Sequence, residues 1–192
     1  MQETPFKAMH EAAGAKLVDF AGWNMPVWYT SMVEEHLNVR NKAGLFDVTH
    51  MGRIMLTGKD HMAFADHIAT NSRASMKPGQ VRYNLICNEG GTILDDVLIY
   101  AALKPGTATP EQMKAHPAAA LSEGGTMIVC NAGNHPKISA WIEKQRTKFD
   151  VRVDDVSRSH SMLALQGKTS QALLQPHTNV DLAALKYYRV TV

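Results

Sequence analysis

The sequence is poor in the features that usually announce a function. It holds two cysteines, Cys87 and Cys130, with no CxxC spacing in 192 residues. That excludes a disulfide framework and a cysteine zinc site, and a reducing cytoplasm is expected. No window approaches the roughly 20 apolar residues needed to span a bilayer. The start, "MQETPFKAMHEAAGAKLVDFAGW", lacks a cationic opening followed by an apolar run, so no secretory signal is expected either. Charge of one sign is also lacking. Twenty basic against 18 acidic residues leave a formal +2, too little to predict a nucleic-acid or membrane partner. There is no GxxxxGK loop, no GxGxxG after a strand, no GxSxG elbow and no HExxH helix, which removes the common phosphate, nucleophile and metallohydrolase signatures. The nine histidines are scattered. His61, Asp66 and His67 share a predicted helix, but the histidines are not four residues apart, so a solvated helix face is expected and no metal site.

What is present is enough apolar material, 45% of residues, for one generous domain or two small ones. Thr4 and Pro5 suit the start of a helix that Gly14 ends. "AKLVDFAGWNMPVWYT" reads as two short strands or a strand and an extended loop. "SMVEEHLNVRNKAG" reads as an amphipathic helix with Met32, Val33, Leu37 and Val39 near one face and Gly44 as its stop. "LFDVTHMGRIMLTG" has strand character and "KDHMAFADHIATN" helical spacing. A hairpin follows, "QVRYNLIC" and "TILDDVLIYAA" about the turn "NEGG". A long insert rich in Pro, Gly, Ala and Thr, about 103–125, is expected to be a flap or a disordered excursion. Beyond it come strand "TMIVCNA", helix "HPKISAWIEKQRTKF", strands "VRVDDVS" and "HSMLALQG", a short helix "KTSQALLQ" and a last strand over 186–192. Hairpins interrupt the alternation of strands and helices. The expectation is an α+β fold with mainly antiparallel sheets and packed helices.

The run "GGTILDDVLIY" carries two adjacent carboxylates, Asp95 and Asp96, in an apolar setting. In a strand they point to opposite faces, and both faces are otherwise apolar. At least one must then be hydrogen-bonded, paired or opened to a cavity, because burying a lone carboxylate costs several kcal/mol. The alternative is that the strand begins after Asp96 and the pair merely ends the turn.

Five stretches in order, "VDFAGWNMPVWY", "EEHLNVRNKAGLFDVTHMGRIMLTG", "YNLICNEGGTILDDVLIY", "VCNAGN" and "LALQG", resemble the aminomethyltransferase, or T-protein, family of the glycine cleavage system. The resemblance runs from about Thr4 to the last residue. It implies that residues 1–192 are the N-terminal folate-binding region of a T-protein-like fold, with the C-terminal domains absent and the chain apparently truncated inside its final strand. It implies an enzyme that takes the aminomethyl group from the lipoyl arm of H-protein, releases ammonia and makes methylene-tetrahydrofolate, with tetrahydrofolate as one-carbon acceptor and no metal. Asp96 matches the family's catalytic aspartate. Met51, Tyr83, Tyr100, Asn131 and Tyr187 would line the folate cavity, their flat or flexible apolar bodies suiting the pterin and aminobenzoyl rings. The ordinary alternative for each is a core, turn or sheet residue. Asp95 is expected to face away from Asp96 and to be dispensable. Departures from the family pattern are Lys168 after Gln166-Gly167, Gly133 in "NAGN", the insert, and the missing half with its tyrosine-glutamate segment and folate-contacting arginine. The alternatives are a catalytically inactive folate-binding or protein-interaction fragment, or a related folate-dependent demethylase domain.

Overall fold

The structure, a computed structural model, describes residues 1–103 and 124–191, so nearly all of the expected insert lies outside the described residues. The chain separates into two compact units, Met1–His50 with Ser161–Ala184, and Met51–His160 with the stretch from Leu185 onward. Ten strands and five helices are described, and every strand pair but one is antiparallel, as the α+β reading requires.

The first unit opens with β1 (Gln2–Glu3), α1 (Lys7–Ala12), β2 (Lys16–Phe20) and β3 (Trp23–Trp28), the strands forming a sheet in the order β1-β3-β2. The β2/β3 turn places Ala21 and Gly22 at φ 52° and 83°, the left-handed pair that a tight hairpin demands. α2 (Met32–Asn41) follows, then β4 (Gly44–Asp47), which pairs with β10 (Leu163–Gln166), and the unit closes with α5 (Ser170–Leu174). Three expectations change. The first helix begins two residues late, because Thr4 Oγ1 accepts from the Phe6 amide at 3.3 Å and closes a turn instead. Ser31 caps α2 by accepting from the Glu34 amide at 3.2 Å, but no residue of that helix is buried: Met32 and Val39 lie seven residues apart on one side, while Val33 and Leu37 point elsewhere. The helix stops at Asn41, and Gly44 begins β4, where a Cβ would meet Val39 Cγ2 at 2.5 Å.

A buried polar line holds this unit. His10 Nε2 lies 2.9 Å from Asp47 Oδ2 and its Nδ1 2.8 Å from the Tyr29 hydroxyl, so the ring bridges the two side chains. The Thr49 amide bonds the other Asp47 oxygen at 2.9 Å. Burial raises the Asp47 carboxyl, but bonds from Thr4, Thr49 and His10 outweigh it and leave its pKa below the ordinary value.

The second unit is a five-stranded antiparallel sheet in the order β6-β7-β8-β5-β9, with β5 Gly52–Thr57, β6 Val81–Cys87, β7 Ile93–Ala101, β8 Thr126–Cys130 and β9 Arg152–Asp155. Helices α3 (His61–Ile68) and α4 (His135–Gln145) bury one face of it, with Ile54, Leu56, Val97, Ile99 and Ile128 from the strands against Phe64, Ala65, Ile138 and Ile142 from the helices. The solvated face expected for α3 is only partly found. His61 is buried and bonds Thr126 Oγ1 at 2.9 Å, and burial, then Arg73, lowers its pKa. The last strand expected over 186–192 reduces to one bridge, Arg189 to Gln80, because Tyr188 turns left-handed at φ 52° and breaks the extended run. Among the described residues no helix is long and apolar enough to cross a membrane, and no cluster of three His, Cys, Asp or Glu side chains could hold a metal ion.

Candidate functional site

β7 begins at Ile93, so Asp95 and Asp96 lie inside the strand and not in the turn. The pleat separates them. Asp95 joins Val97 and Ile99 on the helix-covered face and is 3% exposed, whereas Asp96 shares the opposite face with Leu98 and Tyr100 and is exposed. The register with β6 sets Leu85 opposite Asp96 and Tyr83 opposite Leu98, which puts Tyr83 diagonal to the carboxylate on its own face.

Both carboxylates converge on one residue at the end of β8. Asp95 accepts the Asn131 amide N–H at 2.9 Å, the Asn131 side-chain NH2 at 2.9 Å and the Asn134 NH2 at 2.6 Å. The same Asn131 Nδ2 donates to Asp96 Oδ1 at 2.9 Å and to the Asp96 carbonyl at 3.1 Å. Tyr83 donates its hydroxyl to Asp96 Oδ2 at 3.2 Å. Asn131 can reach both because β8 ends at Cys130 and a single 3-10 turn, Ala132–Asn134, leads directly into α4. Gly52 permits that sharp entry: a Cβ there would lie 2.5 Å from Cys130 Sγ and 2.6 Å from the His135 ring.

The electrostatics keep the tyrosines protonated. Desolvation, then the Asp96 charge, raise the Tyr83 pKa, so its hydroxyl is a donor to Asp96 at neutral pH. Burial, then Tyr188, raise that of Tyr100. Tyr188, whose charge would act on both Tyr83 and Tyr100, was not singled out from the sequence; it is exposed, with a left-handed backbone at φ 52°. Tyr187 is 87% exposed and touches Tyr188 edge-on, with ring centroids 4.3 Å apart. Met51 precedes β5 half-buried, and its carbonyl accepts from Arg53 Nη1 at 2.8 Å. The structure thus gathers Asp96, Tyr83 and Asn131 by direct bonds and places Tyr100 on the same face of β7. Among the described residues, the hydrogen-bond partners of Asp96 are Tyr83 and Asn131, and neither Met51 nor Tyr187 is one of them.

An antiparallel sheet with helices on one face, and a tethered carboxylate beside tyrosine rings on the other, defines an α+β domain. The chain belongs to the GCVT N-terminal domain family, which matches residues 6–105 and 117–192. It is 40% identical over 191 residues to the aminomethyltransferase of Thermosipho melanesiensis, covering 100% of this chain and 47% of that protein. Identity to the aminomethyltransferase of Moorella thermoacetica is 41% over 191 residues, with the same coverage. Among solved structures, the glycine cleavage system aminomethyltransferase T from Bartonella henselae superimposes with a TM-score of 0.82 at 32% identity, over 98% of this chain and 46% of that one. The chain spans about half the length of the curated relatives it matches.

Proposed function

We propose that residues 1–192 form the N-terminal folate-binding region of an aminomethyltransferase of the glycine cleavage system, which passes the one-carbon unit from aminomethyl-lipoyl H-protein to tetrahydrofolate and releases ammonia. The observation that carries this reading is the state of Asp96: exposed on its face, yet tethered through one oxygen to Asn131 and through the other to Tyr83. A carboxylate fixed in that way can accept a hydrogen bond or a proton from a folate amine as the nitrogen attacks the methylene carbon. Tyr83 and Tyr100 offer flat apolar faces with polar tips to the pterin and aminobenzoyl rings, and Met51 a deformable one. Tyr187, at 87% exposure, would meet the ligand from the surface.

The direct test mixes this chain with aminomethyl-loaded H-protein and tetrahydrofolate and follows ammonia. Wild type is expected to release it only when folate is present, and Asp96→Asn to slow that release by about 100-fold or more, the usual worth of a positioned acid or base. Equal rates in two well-folded proteins would remove Asp96 from the mechanism. The half-length coverage of the relatives motivates one second reading, a module that binds folate without turnover, which a tetrahydrofolate titration run beside the ammonia assay recognises as bound folate with no ammonia.

A further inference from the structure

Asp95 is unused in the mechanism above, yet it is the most completely bonded carboxylate of the site. It is 3% exposed and takes three N–H donors, two of them from Asn131. A buried carboxylate of this kind can be a plain anchor for the loop that enters α4. The geometry points to more, because the Asn131 group that bonds Asp95 also bonds Asp96.

We propose that Asp95 is a positioning residue for Asp96, acting through the Asn131 side-chain amide. The amide of an asparagine presents a donor and an acceptor of nearly equal size, and only its surroundings choose between the two orientations. The Asp95 side chain accepts from two other N–H groups and lies 2.9 Å from the Asn131 nitrogen. Turning the amide over would set its carbonyl oxygen against the Asp95 carboxylate, the Asp96 carboxylate and the Asp96 carbonyl at once. Asp95 therefore adds its carboxylate to the two Asp96 oxygens that hold the NH2 in place, and from there the NH2 bonds Asp96 Oδ1. With Tyr83 on Oδ2, the Asp96 plane is fixed from both ends. Supporting groups behind a reacting group hold it to the fraction of an ångström that catalysis or binding needs. The inference rests on the folate-site reading only for its ligand, since the Asn131 orientation is a property of the protein itself.

Two readouts on the 192-residue chain test it separately. The first is the side-chain NH2 of Asn131 followed by nitrogen-edited NMR. In wild type its protons should exchange with solvent at least tenfold more slowly than those of the exposed Asn41 and Asn179. In Asp95→Asn that protection should fall about threefold or more, because the two Asp96 oxygens are then left to hold the orientation without the Asp95 carboxylate. The second is tetrahydrofolate titration. Asp95→Asn should weaken binding about as much as Asn131→Ala, roughly tenfold, and the double variant no more than either single one, the signature of residues acting as a unit. Ile138→Val, at a fully buried position in the first turn of α4, serves as a control that lowers stability without touching the network, and should leave both readouts within twofold of wild type.

Independent, multiplying losses from Asp95 and Asn131, or an Asp95→Asn that keeps both the Asn131 protection and the folate affinity, would overturn the proposal. So would a wild-type Asn131 NH2 that exchanges as fast as the exposed asparagines, a result available even if Asp95→Asn does not fold. Protection that depends on Asp95 in a chain that binds no folate would uphold the Asp95–Asn131 orientation and reject the folate reading alone.

Discussion

The two units of this chain are held by different physics. In the second unit, Ile54, Leu56, Phe64, Ile99, Ile128, Ile138 and Ile142 are each 0–1% exposed and form one apolar cluster between sheet and helices. In the first, the buried residues are Met25 and three polar ones, Thr4, His10 and Thr49, while Leu37, Leu45 and Leu173 are half or more exposed. The second unit derives its order from removing apolar surface from water. The first depends more on a chain of hydrogen bonds, Tyr29–His10–Asp47–Thr49, whose energies vary with protonation. The candidate site lies in the unit with the apolar core, which suits a carboxylate whose direction matters.

Large-to-small substitution should separate the units most strongly. Leu56→Ala, at 0% exposure in β5, should cost about 2–5 kcal/mol. Leu45→Ala, 63% exposed in β4, should stay within about 0.5 kcal/mol. Denaturant midpoints measure both, and similar losses would break the comparison.

Acid should sharpen it from the other side. The folded Asp47 pKa is held below the ordinary 3.8, so its contribution to stability is fully present above that value and is lost as pH falls through the lower folded value. Asp47→Asn should cost about 1–3 kcal/mol at neutral pH, the worth of hydrogen bonds to a charged group, and the difference from wild type should shrink below about pH 4. Asp155 in the second unit shifts the same way: burial raises its carboxyl, but the Ser157 bonds and His135 outweigh that. Its side chain is half exposed, so its share should be smaller. A wild-type and Asp47→Asn pair whose difference is flat from pH 7 to pH 3 would remove Asp47 from the account.

The smallest expected effect is chemical. Burial, then Asp95 and Asp155, push the Cys130 thiol up to about 12, and the residue is 0% exposed. At pH 8 a thiol-alkylating reagent should modify half-buried Cys87 and leave Cys130 intact until the chain unfolds. Labelling of both at similar rates would show that the second unit opens far more readily than its packing implies.

Much of this was legible in the sequence, for reasons that differ by residue. The β6/β7 hairpin was legible because period-2 patterning and the Gly91 turn agree. The separation of Asp95 from Asp96 followed from the same pleat, and the family resemblance supplied Asp96, Tyr83 and Asn131, which the structure joins by hydrogen bonds. The role of Asp95 was not legible, since Asn131 and Asn134 lie 36 and 39 residues downstream and only the β7/β8 pairing brings them to it. Tyr188 was missed because spacing cannot announce a left-handed residue that is not glycine. The polar line through His10 was equally hidden, its members being 19 and 37 residues apart.

The most direct test of the central claim is calorimetric titration of this chain with tetrahydrofolate beside Asp96→Asn. The account predicts a saturable heat for wild type that weakens tenfold or more in the variant, with both proteins folded by circular dichroism. Equal binding by the two, or no heat from a folded wild type, would contradict it.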